Sequence, residues 1–367
     1  MSSSLAHRRL PALILSVGVA ATACSPGATG PADAPGAADP TTVVPRGSRL
    51  LGVSISDRAD GDFDAAFQEA RDAGMQATGL SLAWDDLEVA PGVYEPAVDF
   101  LAIAAAYYPP RETSLLLSIN PIDTNRRRVP DHLRGRDWDD PVLVEAFRNL
   151  LDWALATAAP LELVALSIGN EIDATLASAD EWAAYREFHR QVSAHARAHR
   201  PGLRVGAKIT VGGLQGPFAA EAAALVDDTG LLLTTYYPLG PDFRVEPPST
   251  VAGVVDDLVD RFPEHPILFA EIGAPSTEAC GSSPALQADF VSEAFAVWDR
   301  HAEQVELLEF VWMHDIDPVT LAGYESYYGS SDPCFLDYLA TLGLQAADGT
   351  DKPAWTRLVE EAAARGW

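Results

Sequence analysis

Cysteine and basic residues are both scarce in this chain. Three Cys among 367 residues, with no CxxC pair, exclude a disulfide-dense scaffold and a zinc site made of four cysteines. Lys and Arg number 25 against 53 Asp and Glu, so the formal net charge is −28. Binding of nucleic acid or anionic lipid through a basic patch is therefore not expected. The hydrophobic share of 48% and the charged share of 21% are ordinary for a globular protein.

Three motifs that carry common enzyme chemistry are also missing. The first apolar run, LLGVSISDRADGDF, has no GxGxxG turn for a dinucleotide. Ser118 and Ser167 lack a GxSxG elbow, which argues against an α/β-hydrolase triad. The eight His include no HExxH pair, so we predict neither a metal site nor a cofactor.

The first 23 residues have the pattern of an export signal. Arg8 and Arg9 precede an apolar stretch at 12–23, which is too short to be a comfortable membrane span. The stretch ends in small residues directly before Cys24. This arrangement resembles the lipobox of bacterial lipoproteins, although Ala21 stands where Leu is usual. The resemblance implies a lipidated Cys24, and an ordinary cleaved signal is the alternative.

A tether and one domain follow the signal. Residues 24–47 are rich in Pro, Gly and Ala and contain no aromatic residue, so they cannot form a core. We predict a signal at 1–23, a tether at 24–47 and a catalytic domain at 48–367. The protein is then a monomer that touches a membrane only through its lipid anchor. Its expected location is the bacterial cell envelope, at the cell surface or in the periplasm, with secretion as the alternative.

Eight short apolar runs alternate with amphipathic stretches from residue 48 onward. Nearly continuous Leu, Val and Ile are typical of parallel strands that are buried on both faces. The stretches Asp62–Gly74 and Ser178–Arg200 have helical spacing. Eight strand–helix units predict a single (β/α)8 barrel, or TIM barrel, and a doubly wound open sheet is the alternative. The predicted strands are Arg49–Ser56, Ala77–Trp84, Ser114–Asn120, Leu161–Glu171, Leu203–Thr210, Leu231–Tyr237, Pro266–Glu271 and Val305–Trp312.

Two carboxylates end otherwise apolar strands. Glu171 ends the predicted fourth strand and Glu271 ends the seventh. Active sites of such barrels lie at the carboxyl ends of the strands, where the fourth and seventh face each other across the mouth. Two carboxylates on one bond are the arrangement that hydrolyses glycosides, one as acid and the other as nucleophile.

These residues also resemble a known clan. Gly169-Asn170-Glu171 on the fourth strand and Glu271 on the seventh are similar to the retaining TIM-barrel glycoside hydrolases of clan A, the "4/7" superfamily. The resemblance implies that Glu171 is the acid/base and Glu271 the nucleophile. It also implies that Asn170 binds the sugar 2-hydroxyl and that a β-linked oligo- or polysaccharide is cleaved by double displacement.

Further substrate-binding residues follow from the same resemblance. The clan's Tyr that hydrogen-bonds the nucleophile matches Tyr237, with Tyr236 as the alternative, and its sugar-stacking Trp matches Trp312. Trp84 opens WDDLEVAPGVYE, which resembles a stretch after the second strand in several members, and Asn120 ends the third strand. Each of these side chains has a packing role as its alternative.

One position departs from the clan. Many members carry an Arg on the second strand, five residues before the Trp, and this chain has Gly79 there. A carbohydrate-binding or scaffold lipoprotein with a non-catalytic barrel is therefore an alternative function. A transglycosylase would use the same residues as the hydrolase. The segments IGNEID and TTYYP are most similar to endo-β-1,4-galactanases.

The two remaining cysteines predict a disulfide. An exported domain meets oxidising conditions, and if Cys24 carries lipid, only Cys280 and Cys334 are left to pair. Both follow predicted strands that are neighbours in the barrel.

Overall fold

Eight parallel strands occupy the eight apolar runs in a computed structural model that describes residues 42–56 and 58–367. The predictions for the signal and for Cys24 lie outside the described residues. Observed strand ends differ from the predicted ends by a few residues. The strands are β1 Leu50–Val53, β2 Ala77–Ala83, β3 Ser114–Asp123, β4 Leu163–Asn170, β5 in two pieces at Val205–Gly206 and Lys208–Thr210, β6 Leu232–Tyr236, β7 Ile267–Ile272 and β8 Val305–Phe310.

The strands form a nearly closed barrel. Every neighbouring pair in the ring is parallel, and β8 returns to β1 through Leu50 opposite Leu307. β5 is interrupted, so that its first piece pairs with β4 and its second piece pairs with β6. This closed ring is the predicted (β/α)8 barrel rather than the doubly wound sheet.

Helices follow the strands and cover the barrel. Asp62 and Ser178 cap the helices that the sequence pattern predicts there, each accepting a hydrogen bond from a backbone N–H three residues on. The helices are α1 Phe63–Asp72, α2 Trp84–Leu87, α3 Phe100–Tyr107, α4 Pro141–Thr157, α5 Ala179–His199, α6 Val211–Gln215, α7 Ala219–Thr229, α8 Thr250–Arg261, α9 Pro284–Arg300, α10 Pro318–Tyr328, α11 Pro333–Ala340 and α12 Pro353–Arg365. None of the helices described at 42–56 and 58–367 is long and apolar enough to span a membrane.

Apolar side chains fill the lower barrel. Leu116, Leu233, Leu268 and Leu307 are buried together inside the ring. They form a packed floor, so polar side chains above them lie at the carboxyl ends of the strands.

A charged network lies at the opposite face of the barrel, where the amino-terminal ends of the strands are. Arg49 and Arg365 both bind the buried Asp299, with donor–acceptor distances of 2.9 and 2.7 Å. The chain before β1 joins this network, because Arg49 donates to the Val44 carbonyl and the Arg46 N–H donates to the Arg365 carbonyl. The end of the predicted tether therefore lies on the face away from the barrel mouth.

Candidate active site

Glu171 leaves β4 through a sharp turn. Gly169 has φ +91°, and a Cβ there would lie 2.6 Å from both Ile172 Cγ2 and Tyr185 Oη, so only glycine fits. Glu171 itself has φ 44° in the left-handed region. Its side chain is buried, and the Thr235 hydroxyl donates to Glu171 Oε1 at 2.6 Å.

Glu271 lies on β7 and is held by two donors. Lys208 Nζ donates to Glu271 Oε1 at 3.1 Å, and the Tyr237 hydroxyl donates to Oε2 at 2.8 Å. Lys208 and Glu271 are both about 1% exposed, so this ion pair is shielded from solvent. The two donors hold both oxygens of the Glu271 carboxylate in place.

The two carboxylates converge at the barrel mouth. Thr235, which binds Glu171, lies directly beside Glu271 in the β6–β7 register. Burial, with the nearby charges of Glu271 and Glu171, raises the pKa of Tyr237 well above its usual value. The structure thus brings Glu171, Glu271 and Tyr237 together.

Asn170 and Asn120 also lie at this end of the barrel. Asn170 Nδ2 donates to Asp123 Oδ1 at 3.1 Å, and the Tyr327 hydroxyl donates to Asp123 Oδ2 at 2.9 Å. Burial raises the pKa of Asp123. Asn120 Nδ2 donates to the Ser81 hydroxyl on the neighbouring strand at 2.7 Å. Both amides are buried and held in place by side chains of β2 and β3.

A segment after β8 closes over the pair. We name residues 318–340, which form α10, α11 and their connection, the cover segment. Its Tyr338 is fully buried, and burial with the nearby Glu171 and Glu271 charges raises the pKa of that phenol. Its Tyr324 stacks on Trp312 with ring centroids 5.7 Å apart and planes at 12°. Trp312 is buried beneath the cover segment, and Tyr324 covers one face of its ring, so its predicted role as a sugar platform stays a prediction.

Two connections hold the cover segment. A disulfide joins Cys334 on α11 to Cys280 in the loop after β7, with Cα atoms 5.5 Å apart. Arg126, after β3, donates to the Tyr327 carbonyl and lies over the Tyr327 ring at 3.9 Å. The cover segment is thus fixed to loops on two sides of the mouth.

The structure does not bring Tyr236 and Trp84 to the site. Side chains alternate along a strand, so Tyr236 points outward between the inward Thr235 and Tyr237, and its hydroxyl meets Thr250 Oγ1 at 3.1 Å. Trp84 begins α2, donates to Glu88 Oε2 at 2.7 Å and packs edge-on against a helix of the outer layer. Trp84 thus packs outside the barrel, whereas Tyr236 lines the cavity described below, and substrate contact by either residue stays a prediction.

Sequence reasoning missed four polar residues of the site: Lys208, Thr235, Asp123 and Glu309. A signal existed for Lys208 and Glu309, because each is a charged residue inside an apolar run. Asp123 was missed because β3 extends three residues past its predicted end. Thr235 carries no signal in a strand, where Thr is common.

A cavity of about 280 Å³ opens at the ends of β5 and β6, and its lining includes Tyr236 and Thr250 but neither Glu171 nor Glu271. Its lining includes Thr235 and Tyr237, the residues that bind Glu171 and Glu271. In the described part of the chain, no group of three or more His, Cys, Asp or Glu is arranged to hold a metal ion.

The fold and these contacts define a TIM barrel with two carboxylates at its mouth, and solved structures share that barrel. No protein-family model matches the chain, and a search of curated proteins found no match. The exo-β-1,4-mannosidase Op5Man5 from Opitutaceae bacterium strain TAV5 is 18% identical with a TM-score of 0.64, over 86% of this chain and 59% of its own. This chain thus spans less than two thirds of that protein.

Two other glycoside hydrolases are similar to a comparable degree. GH5_18 from Streptomyces cattleya, solved with Manβ1-4GlcNAc, has a TM-score of 0.65 at 18% identity over 87% of this chain and 81% of its own. A family 39 glycoside hydrolase from Bacteroides cellulosilyticus WH2 has a TM-score of 0.60 at 16% identity over 87% and 65%. At these identities the likeness establishes the fold. The finer similarity to endo-β-1,4-galactanases stays a prediction.

Proposed function

We propose that the protein is a retaining glycoside hydrolase that cleaves a β-linked oligo- or polysaccharide. The observation that carries this proposal is the convergence of Glu171 and Glu271 from β4 and β7, each held by its own donor. The proposal is also supported by the glycoside hydrolase neighbours that share the barrel.

The reaction takes two displacements. Glu271 attacks the anomeric carbon while the bond to the leaving oxygen breaks, and Glu171 gives that oxygen its proton. Water then attacks the same carbon, the bond to Glu271 breaks, and the water proton returns to Glu171. Asn170, fixed by Asp123, is oriented to hold the sugar 2-hydroxyl. The expected separation of the two carboxyl groups is about 5–5.5 Å.

The first experiment is a screen of β-linked glycans with the domain from residue 48 onward. One similar structure is an exo-β-1,4-mannosidase and another was solved with Manβ1-4GlcNAc, so β-mannosides are tested beside β-1,4-galactan. Proton NMR of the first product should show the β-anomer, because two displacements retain configuration. An α-anomer as first product would contradict the retaining mechanism.

Two variants test the assigned roles on a confirmed substrate. Glu271→Gln should abolish formation of the glycosyl-enzyme, since the nucleophile is lost. Glu171→Gln should slow glycosides with poor leaving groups about 10²–10⁴-fold and those with good leaving groups least. Full activity of both variants would place the site elsewhere. Glu303→Gln, an exposed Glu outside the mouth, is the control.

A non-catalytic carbohydrate-binding barrel is the second candidate, and Gly79 in place of the clan's Arg favours it. Sugar binding without turnover in the same screen would support that function. A transglycosylase would give products longer than the substrate, because a sugar replaces water as the acceptor.

For the location of the protein, we propose export and lipidation at Cys24. The basic start, the short apolar stretch and the small residues before Cys24 support this proposal. The protein would then work in the cell envelope as an anchored hydrolase.

A further inference from the structure

The space of the missing strand-2 Arg is filled by a third carboxyl group. The Gly79 N–H donates to Glu309 Oε1 at 2.6 Å. A Cβ on Gly79 would lie 2.8 Å from that oxygen, so no larger residue fits while Glu309 is there. Gly52 on β1 lies opposite Glu309, and a Cβ there would come within 2.9 Å of the Glu309 Cα and Cβ. Two glycines thus make room for one inward Glu.

The cation beside Glu271 comes from β5. Lys208 on β5 binds Glu271 at 3.1 Å and is fully buried. The chain has only two lysines, and the other, Lys352, pairs with Asp315 at 2.9 Å. The positive charge beside Glu271 therefore comes from β5 instead of β2.

Lys208, Glu271 and Glu309 act on one another. Burial raises the pKa of Glu309 to about 8, the Lys208 charge opposes that rise and the Glu271 charge adds to it. Tyr108 is a further titratable neighbour, and burial, more than the nearby Tyr107 and Glu309, raises the pKa of its phenol. At neutral pH Glu309 is thus mainly protonated, and the Lys208 charge serves Glu271.

We propose that Lys208 is a positioning residue for Glu271 that supplies the charge that β2 lacks, and that Glu309 fills the space of the missing Arg. This inference rests on the proposed function, because it concerns the nucleophile of that reaction. It explains how the proposed reaction can take place with Gly79 at the position of the clan's Arg.

Covalent trapping tests the link to the nucleophile. The probes are 2,4-dinitrophenyl 2-deoxy-2-fluoro-β-glycosides of mannose, galactose and glucose, with intact-protein mass spectrometry as readout. We expect Lys208→Met to be labelled about a hundredfold more slowly than wild type. Lys352→Met, which loses the partly buried ion pair with Asp315, controls for general destabilisation. Labelling of wild type should fall as pH rises past about 8, and that fall should disappear in Glu309→Gln.

A second measurement needs no substrate. Carbon NMR of protein labelled on the Glu carboxyl carbons follows the titration of Glu309, which is identified by the signal missing in Glu309→Gln. Lys208→Met should lower the acid dissociation constant of Glu309 about tenfold, and Glu271→Gln should raise it. Lys352→Met should leave it unchanged. If Lys208→Met does not fold, Lys208→Arg keeps the charge, so labelling should slow while the titration stays near that of wild type.

The outcomes separate the two proposals. The positioning proposal is overturned if Lys208→Met is labelled at the wild-type rate. It is also overturned if the acid dissociation constant of Glu309 is the same in Lys208→Met as in wild type. Absence of labelling in wild type by all three probes counts against the proposed hydrolase, while the titration still decides whether the three side chains form one charge cluster.

Discussion

At the scale of single residues, the barrel keeps an ionisable group where water does not reach it. Glu309 is about 1% exposed and accepts a hydrogen bond from Gly79, and its other oxygen has no partner among the described residues. A buried carboxyl of this kind is most stable when protonated. Its proton therefore links the stability of the fold to pH.

Glu309→Gln should flatten the fall of stability with pH. The unfolded chain loses this proton near pH 4.3 and the folded chain near 8, so the contribution of Glu309 to stability is lost as pH rises across that interval. Calorimetry at pH 5, 7 and 9 measures the melting temperature of both proteins. The melting temperature of the variant relative to that of wild type should increase as pH rises. Parallel curves for the two proteins would contradict this, and the exposed Glu303→Gln is the control.

At the scale of elements, the cover segment decides whether the site is reachable. Glu171 and Glu271 expose at most 1% of their surface beneath its aromatic side chains, so a sugar cannot contact them while α10 and α11 keep this position. The disulfide to the β7 loop and the Arg126 contact hold that position. The cover segment is thus part of the binding site and must move or open to admit substrate.

Loss of the disulfide should disturb substrate binding more than secondary structure. The bond spans a sequence separation of 54 residues, which corresponds to about 4 kcal/mol in the chain-entropy model. The Cys280→Ser/Cys334→Ser variant should show a changed KM, because the position of the cover segment is no longer fixed, and a lower melting temperature with an unchanged far-UV circular dichroism spectrum. An unchanged KM would show that the disulfide has no effect on substrate binding. As a control, reductant should not change the KM of the variant.

At the scale of the whole molecule, the mouth and residues 44–46 lie at opposite ends of the barrel. Arg46 and Val44 are bound at the amino-terminal face, whereas Glu171 and Glu271 lie at the carboxyl ends of the strands. The 21 residues from Cys24 to Val44 reach at most about 75 Å when extended. A chain anchored at Cys24 would therefore be joined to the barrel on the face opposite its mouth.

Cys24→Ala should change where the protein partitions without changing turnover. The wild type, prepared from a bacterial host, should enter the detergent phase of a Triton X-114 separation, and the variant should stay in the aqueous phase. Turnover of a soluble substrate should be equal for both, because residues 44–46 are bound on the barrel face opposite the mouth. An unmodified mature N-terminus at Ser25 or later, read by mass spectrometry, would refute lipidation.

Much of this protein is readable in its sequence by itself. Eight apolar runs with two terminal Glu predict the barrel and the place of Glu171 and Glu271, because strand periodicity and polar strand ends are local patterns. The cap residues Asp62 and Ser178 mark helix starts for the same reason.

Only the tertiary structure decided which side chains meet. Tyr236 and Tyr237 are adjacent and alike in sequence, yet one points to the helices and the other to Glu271. Lys208 and Glu309 lie on different strands, and only ring closure brings them toward one carboxylate. The direction of a side chain depends on the register of a closed sheet, and its burial depends on distant segments such as the cover segment. A local sequence pattern encodes neither the register nor the burial.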